Sequence, residues 1–309
     1  MLDLSKLVIE TPSWGYADSG TRFGVFPQPG RPRDVFEKLD DAAEVHRLTG
    51  TAGAVTVQLP WDAVEDPEHL REQIEHRGLR VGTVRRPLGR TDADLGEAAL
   101  LPWPLDGVAF PGQDDLRARG HRLVDALRRE YARLRGGQEL LLRPCADPGL
   151  HATDLPDWGS ALLACIKLGD RARVLVDAGP DAGRVAAVLA DEGRLGGLCF
   201  DGRVQPFETF LAFAELGALP RLLLGLSFDV EATTLAIVDL QEAYAKALLI
   251  DREALREAQE FGDALYAYQV LLDAFKSDVR RACAAARAAL GAAEDPIVAL
   301  RQSGYAELA

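Results

Sequence analysis

The segment DVFEKLDDAAEVHRLTGTAGAVTVQL, residues 34–59, places an amphipathic helical pattern directly before a β-branched run. Phe36, Leu39, Ala43 and Leu48 fall near one face of a helix over 34–48, and Gly50 follows as a stop signal. Residues 54–59, Ala-Val-Thr-Val-Gln-Leu, have the composition of a buried strand. A helix that returns to a strand through a short turn is half of a parallel βα unit, because parallel neighbours need a crossover between them.

The same alternation recurs in both directions from this segment. Strand candidates lie at 7–10, 54–59, 79–84, 99–103, 139–143, 173–177, 196–200 and 221–226, and further helical patterns begin near Pro67, Asp114, Asp157 and Pro206. Eight such units predict an α/β fold closed as a (β/α)8 TIM barrel. Between the third and fourth strands, Arg85 to Ala98 contains Pro87, Gly89 and Gly96 without three turns of apolar periodicity, which predicts one reduced βα unit. Residues 232–290 are rich in Ala, Leu, Glu and Arg and predict two or three successive helices, followed by a tail at 291–309 broken by Pro296 and Gly304. The expected organisation is a barrel over 1–231 and a C-terminal helical extension over 232–309, packed on the barrel or on a neighbouring subunit.

A formal charge of -13 over 309 residues argues against a nucleic-acid binder, which needs concentrated Lys and Arg against phosphates. No apolar run is long enough to cross a bilayer, and the start, Met1-Leu-Asp-Leu-Ser-Lys-Leu7, lacks the apolar core of a secretory signal. Cys145, Cys165, Cys199 and Cys283 form no CxxC pair, so a reducing cytoplasmic setting is expected.

In such barrels ligands bind where strands end, so the residues there are the candidates: Trp14, Gln58, Trp61, Arg85, Arg86, Trp103, Asp106, Arg143, Cys145, Asp177, Cys199, Asp201, Ser227, Asp229 and Glu231. Only Asp177 is placed as a hard-metal ligand, and an ordinary barrel-end carboxylate paired with an arginine is the plainer reading. A zinc site of Asp177, Cys199 and Asp201 lacks the usual histidine or second thiolate, and Cys199 reads as core. Arg85, Arg86, Arg143 and Arg203 suggest an anion pocket, or simply charge balance in an acidic chain. No phosphate loop, dinucleotide fingerprint or nucleophile elbow is present.

Several runs resemble the L-rhamnose isomerase family across nearly the whole chain. They are Ile9-Glu-Thr-Pro-Ser-Trp14, Ser19-Gly-Thr-Arg-Phe23, Phe36-Glu-Lys-Leu-Asp-Asp41, Leu59-Pro-Trp-Asp62, Pro111-Gly-Gln-Asp-Asp115, Pro156-Asp-Trp-Gly159 and Glu242-Ala-Tyr-Ala-Lys-Ala-Leu248. The resemblance implies a xylose isomerase-like TIM barrel, a homo-oligomer, two divalent metals, usually manganese, and interconversion of aldoses with ketoses. It implies that Trp14 and Trp103 line a sugar pocket and that Phe23 reaches a neighbouring subunit's site.

At the family's metal positions this chain departs from the pattern. The glutamate after the fifth strand appears as Arg143, the histidine after the seventh as Cys199 and the aspartate on the eighth as Gly225, leaving Asp177 as the only matched ligand. A second histidine appears as Pro180 and a pocket histidine as Gln58. A guanidinium repels a divalent cation, so Arg143 is expected to neutralise Asp177 in place of metal. The expected protein is a shortened, metal-free homologue without a cofactor. It binds a monosaccharide or sugar phosphate through Trp14, Phe23, Gln58, Trp103, Arg143 and Asp177, with isomerase activity impaired and catalytic residues unassigned. Two alternatives stay open: an active isomerase with relocated ligands among Asp147, His151, Asp201, Asp229 and Glu231, and a metal-independent acid-base enzyme using Asp177 with another carboxylate.

Overall fold

A computed structural model of the protein describes residues 4, 6–12, 34–59, 62, 66–86, 88, 95–101, 116–144, 155–179, 181–200, 207, 209–211, 219–225, 229–276 and 279–305. Eight parallel strands close into one barrel: β1 (Ile9–Pro12), β2 (Ala54–Gln58), β3 (Arg80–Arg85), β4 (Ala98–Leu101), β5 (Glu139–Leu142), β6 (Ala172–Asp177), β7 (Leu195–Phe200) and β8 (Leu222–Leu224). Closure runs through β1 and β8, where Ile9 pairs with Leu222 and Glu10 with Leu223.

Among the described residues, five helices follow strands in the order the alternation requires: α1 (Val35–Thr49), α2 (Pro67–His76), α3 (Leu116–Ala132), α4 (Trp158–Leu168) and α5 (Ala182–Asp191), and residues 207 and 209–211 after the seventh strand are also helical. Their starts are written in short side chains. The Asp34 carboxylate accepts the amides of Phe36 and Glu37, and Asp157 with Ser160 forms a reciprocal capping box on α4. Gly50, at a φ of 71°, ends α1 in the left-handed conformation and donates to the His46 carbonyl at 2.7 Å. Leu39 and Leu48 are fully buried as expected of that face, whereas Phe36 and Ala43 are only partly buried and Val45 belongs to the core instead.

The first strand starts two residues later than the expected 7–10, because Leu4 and Leu7 form a turn whose side chains are buried in the core. Helix α5, absent from the sequence reading, sits after Gly179 and carries Ala182, Ala186 and Leu189 on its buried face. Between β3 and β4 no described residue is α-helical, and Leu95 is buried in the core there.

Beyond β8, α6 (Val230–Leu249) begins with Asp229 as its cap and packs against α1, completing the ring. Four further helices follow, α7 (Arg252–Glu260), α8 (Ala264–Lys276), α9 (Val279–Ala289) and α10 (Pro296–Gln302), so 232–290 holds more helices than two or three. Gly262 in the short α7–α8 turn, at a φ of 67°, has a conformation that composition does not report. The tail folds back: α10 touches α1 and α6, with Leu300 buried.

Candidate active site at the carboxyl ends of the strands

Side chains alternate across each strand, and two separate apolar clusters record the two faces. Val55, Val57, Leu140, Leu142, Val174, Val176, Leu222 and Leu224 pack with the helices. Ala98, Leu100, Leu141, Leu175, Cys199 and Leu223 form their own cluster inside the barrel. Stepping two residues from this plug toward the strand ends leads from Leu141 to Arg143, from Leu175 to Asp177 and from Leu223 to Gly225, while Gln58 ends β2. The barrel is therefore closed below by an apolar floor, with the polar Gln58, Arg143 and Asp177 among the described residues above it.

Arg143 donates from Nε to Asp177 Oδ1 at 2.8 Å. The side chains keep 32% and 51% of their area exposed, so the pair is a feature of the mouth and not of the core. Gln58 is buried, and among the described residues its Oε1 has no hydrogen-bond partner. Its backbone amide donates at 2.7 Å to Asp62 Oδ2, whose Oδ1 receives Lys38 Nζ at 3.1 Å. Lys38 and Asp62 are both buried, so the chain leaving β2 is tied to α1 by a shielded ion pair. The sequence reading gave neither residue this role, because a lysine on an amphipathic helix ordinarily marks a solvated face.

Cys199 is buried, as expected, and it explains why position 225 lacks a side chain. A β-carbon on Gly225 would stand 2.9 Å from Cys199 Sγ. Gly225→Ala is expected to cost about 1–3 kcal/mol, most of it recovered in Gly225→Ala/Cys199→Ala, a coupling that urea unfolding of the double-mutant cycle measures.

Among the described residues the expected arginine pocket is not assembled as such. Arg86 is fully buried and donates to Glu130 on α3 at 2.5 Å, which anchors that helix and removes Arg86 from the mouth. Arg143 is committed to Asp177, Arg85 is half-buried at the end of β3, and Arg203 lies outside the described residues. Asp229, considered as a relocated ligand, accepts the Ala232 amide at 2.6 Å as the cap of α6. Trp14, Phe23, Trp61, Trp103, Asp106, Cys145, Asp147, His151, Pro180, Asp201 and Ser227 lie outside the described residues.

Among the described residues no group of three or more His, Cys, Asp or Glu side chains is arranged to hold a metal. Among the described residues at these strand ends the donor set does not match one. A guanidinium sits on the Asp177 carboxylate, Cys199 is part of the apolar floor and Gly225 brings no donor.

No family model matches the chain. Two curated proteins do so nearly end to end. A probable sugar isomerase of Mesorhizobium japonicum is 33% identical, covering 98% of this chain and 85% of that protein. A probable sugar isomerase of Rhizobium meliloti is 32% identical, covering 96% of this chain and 84% of that protein. The first match runs over 369 residues against 309 in this chain, so the relative carries stretches with no counterpart here. Among solved structures, an AP endonuclease of family 2 from Brucella melitensis superposes with a TM-score of 0.51 at 12% identity. It covers 71% of this chain and 92% of that one, a likeness of fold alone.

Proposed function

The chain belongs to the same sugar isomerase family as these two relatives, and from that premise we propose that it is an L-rhamnose isomerase-like homologue working as a metal-free sugar-binding protein. The observation that carries this reading is the ion pair of Arg143 with Asp177 at 2.8 Å. Arginine stays protonated at any working pH, so it supplies the charge compensation a divalent ion would give Asp177 and repels such an ion from the same spot. A fixed guanidinium does not replace a metal's ability to polarise a carbonyl and lower the pKa of a bound hydroxyl, which makes weak or absent isomerisation the expected consequence.

Two features support retained binding. Gln58 Oε1 is a buried acceptor without a donor among the described residues, a state that a ligand hydroxyl relieves, and the half-exposed Asp177 carboxylate offers a second acceptor. β2 and β6 stand four strands apart in the ring of eight, so these acceptors face one another across the mouth. The ligand in this reading is a monosaccharide or sugar phosphate held above the apolar floor, with Trp14, Phe23 and Trp103 contributing as the family resemblance implies. The protein works in the cytoplasm as a homo-oligomer, its extension at 232–309 packed on the barrel or on a neighbouring subunit.

Metal quantification on purified protein, an aldose-ketose assay with added manganese and a thermal-shift screen of monosaccharides and sugar phosphates test the reading together. The expected result is no retained metal, ketose formation near background, and a rise in Tm with at least one sugar, since a ligand that binds only the native state stabilises it. Robust manganese-dependent conversion of L-rhamnose, abolished by Asp177→Ala, would overturn it in favour of an active isomerase.

A further inference from the structure

Both backbone polar groups of Gln58 are taken by one residue four positions on. Its amide donates to Asp62 Oδ2 at 2.7 Å, and its carbonyl accepts the Asp62 amide at 2.8 Å. The next amide, that of Leu59, donates to the Arg85 carbonyl at 2.8 Å and keeps the strand end in the sheet. This clamp is itself anchored, because Lys38, near the start of α1, donates to the other oxygen of Asp62 at 3.1 Å. The side chain of Gln58 has a different fate. Thr56 donates to Glu10 inside the barrel, whereas Val55 and Val57 pack with the helices. Gln58, two residues beyond Thr56, therefore leaves β2 on the interior face, toward the mouth. The residue is only 4% exposed, yet Oε1 has no hydrogen-bond partner among the described residues. Its backbone is fixed and its acceptor is left open.

We propose that Lys38 and Asp62 are positioning residues for the sugar site: they hold the end of β2 so that Gln58 presents Oε1 to a ligand hydroxyl, without touching the ligand themselves. The first reason is energetic. The two side chains are 8% and 0% exposed, and desolvation offsets much of the attraction in such a pair, so an apolar pair of similar volume is often as stable. What the ions add at this turn is direction, since a carboxylate held by Lys38 accepts the Gln58 amide from one place only. The second reason is what Asp62 grips. Asp34, Asp66 and Asp157 each accept from amides of the helix that they start, whereas Asp62 accepts from a strand residue behind it. The third concerns the acceptor. A glutamine side chain has several rotatable bonds, and one already ordered by its surroundings before the ligand arrives loses less freedom on binding.

This role rests on the sugar-binding reading, and calorimetric titration tests it. The probe is L-rhamnose, or the monosaccharide with the largest Tm rise in the screen above if that is a different one. Lys38→Gln/Asp62→Asn is a neutral pair that keeps an acceptor for the Gln58 amide, and it is expected to bind the sugar within about twofold of the unmodified protein. Lys38→Met/Asp62→Leu keeps the volume and removes the acceptor. It is expected to fold with a ligand-free Tm close to that of the unmodified protein and to bind about tenfold more weakly, the scale of one misplaced hydrogen bond. Gln58→Ala is expected to weaken binding by a similar factor alone and to add little to the leucine pair, because the two act on one contact. If the leucine pair does not fold, Lys38→Met/Asp62→Ala replaces it, and loss of the fold in both makes the clamp purely structural and overturns the proposal. A leucine pair that folds and binds as tightly as the unmodified protein overturns the positioning role and leaves sugar binding standing. So does an asparagine pair that loses as much affinity as the leucine pair. An unmodified protein that binds no sugar of the screen overturns the sugar-binding reading and the positioning role with it.

Discussion

Arg221→Met is expected to destabilise the barrel by about 3–5 kcal/mol, the usual effect of stranding a buried charge. Arg221 lies just before β8, inside the barrel at the end opposite the candidate site. Its guanidinium reaches Glu10 Oε1 at 3.0 Å, Glu139 Oε2 at 3.1 Å and Glu97 Oε2 at 3.7 Å, and Glu139 is shared with Arg173 at 2.5 Å. Glu10 is buried and also accepts from Thr56 Oγ1 at 3.1 Å. Burial pushes the Glu10 carboxyl above the ordinary glutamate range, with Arg221 the largest force acting the other way. Removing Arg221 raises it further.

A carboxyl whose folded pKa is raised favours the folded state most below its unfolded value, and that contribution is lost as pH rises through the folded value. The penalty of Arg221→Met, measured against the unmodified protein by urea unfolding, is therefore expected to be larger at pH 7 than at pH 5. Adding Glu10→Gln is expected to recover part of the loss at pH 7. A penalty independent of pH would show that Glu10 is not the stranded group.

Gly197→Ala is the second large effect, roughly 3–5 kcal/mol from close contact and backbone strain together. Gly197 sits in β7 at a φ of 151°, and a β-carbon there would stand 2.6 Å from the Arg221 carbonyl oxygen and 3.1 Å from the Arg221 β-carbon. Neither neighbour is the free end of a flexible side chain, so the strand before β8 has to move. A fall in Tm on the order of 5–15 °C is expected. Because the strain reaches Arg221, Gly197→Ala combined with Arg221→Met is expected to cost less than the two single losses added, which the same unfolding measurements decide.

The barrel was legible because its rules are local. Apolar runs such as Val55-Thr-Val57 and Leu140-Leu-Leu142 are buried on both faces only in a parallel sheet, and Asp34, Asp157 and Gly50 mark helix ends through bonds within a turn or two. The β3–β4 connection announced itself through Pro87, Gly89 and Gly96. Helix α5 escaped because Gly179 and Pro180 precede it, and the Asp181 side chain makes no capping bond. The extension was undercounted because Ala, Leu, Glu and Arg are helix formers on either side of a turn, so the breaks at Asp251 and Gly262 are faint against the background.

At the candidate site the sequence by itself determined which residue types end each strand, since position in a βα unit sets which side chains reach the mouth. That placed Arg143 and Asp177 at the ends of neighbouring strands, with Cys199 and Gly225 on the two strands beyond. Only the tertiary structure decided who bonds whom. Arg85 and Arg86 are adjacent in sequence, yet Arg86 is buried against Glu130 and Arg85 is half-buried at the strand end, because successive side chains leave a strand on opposite faces. The same holds for Lys38 with Asp62, for the grip of Arg221 on three carboxylates, and for the packing of Cys199 that leaves no room at position 225. These are contacts between residues distant in the chain, set by barrel closure and register, and no local pattern carries their geometry.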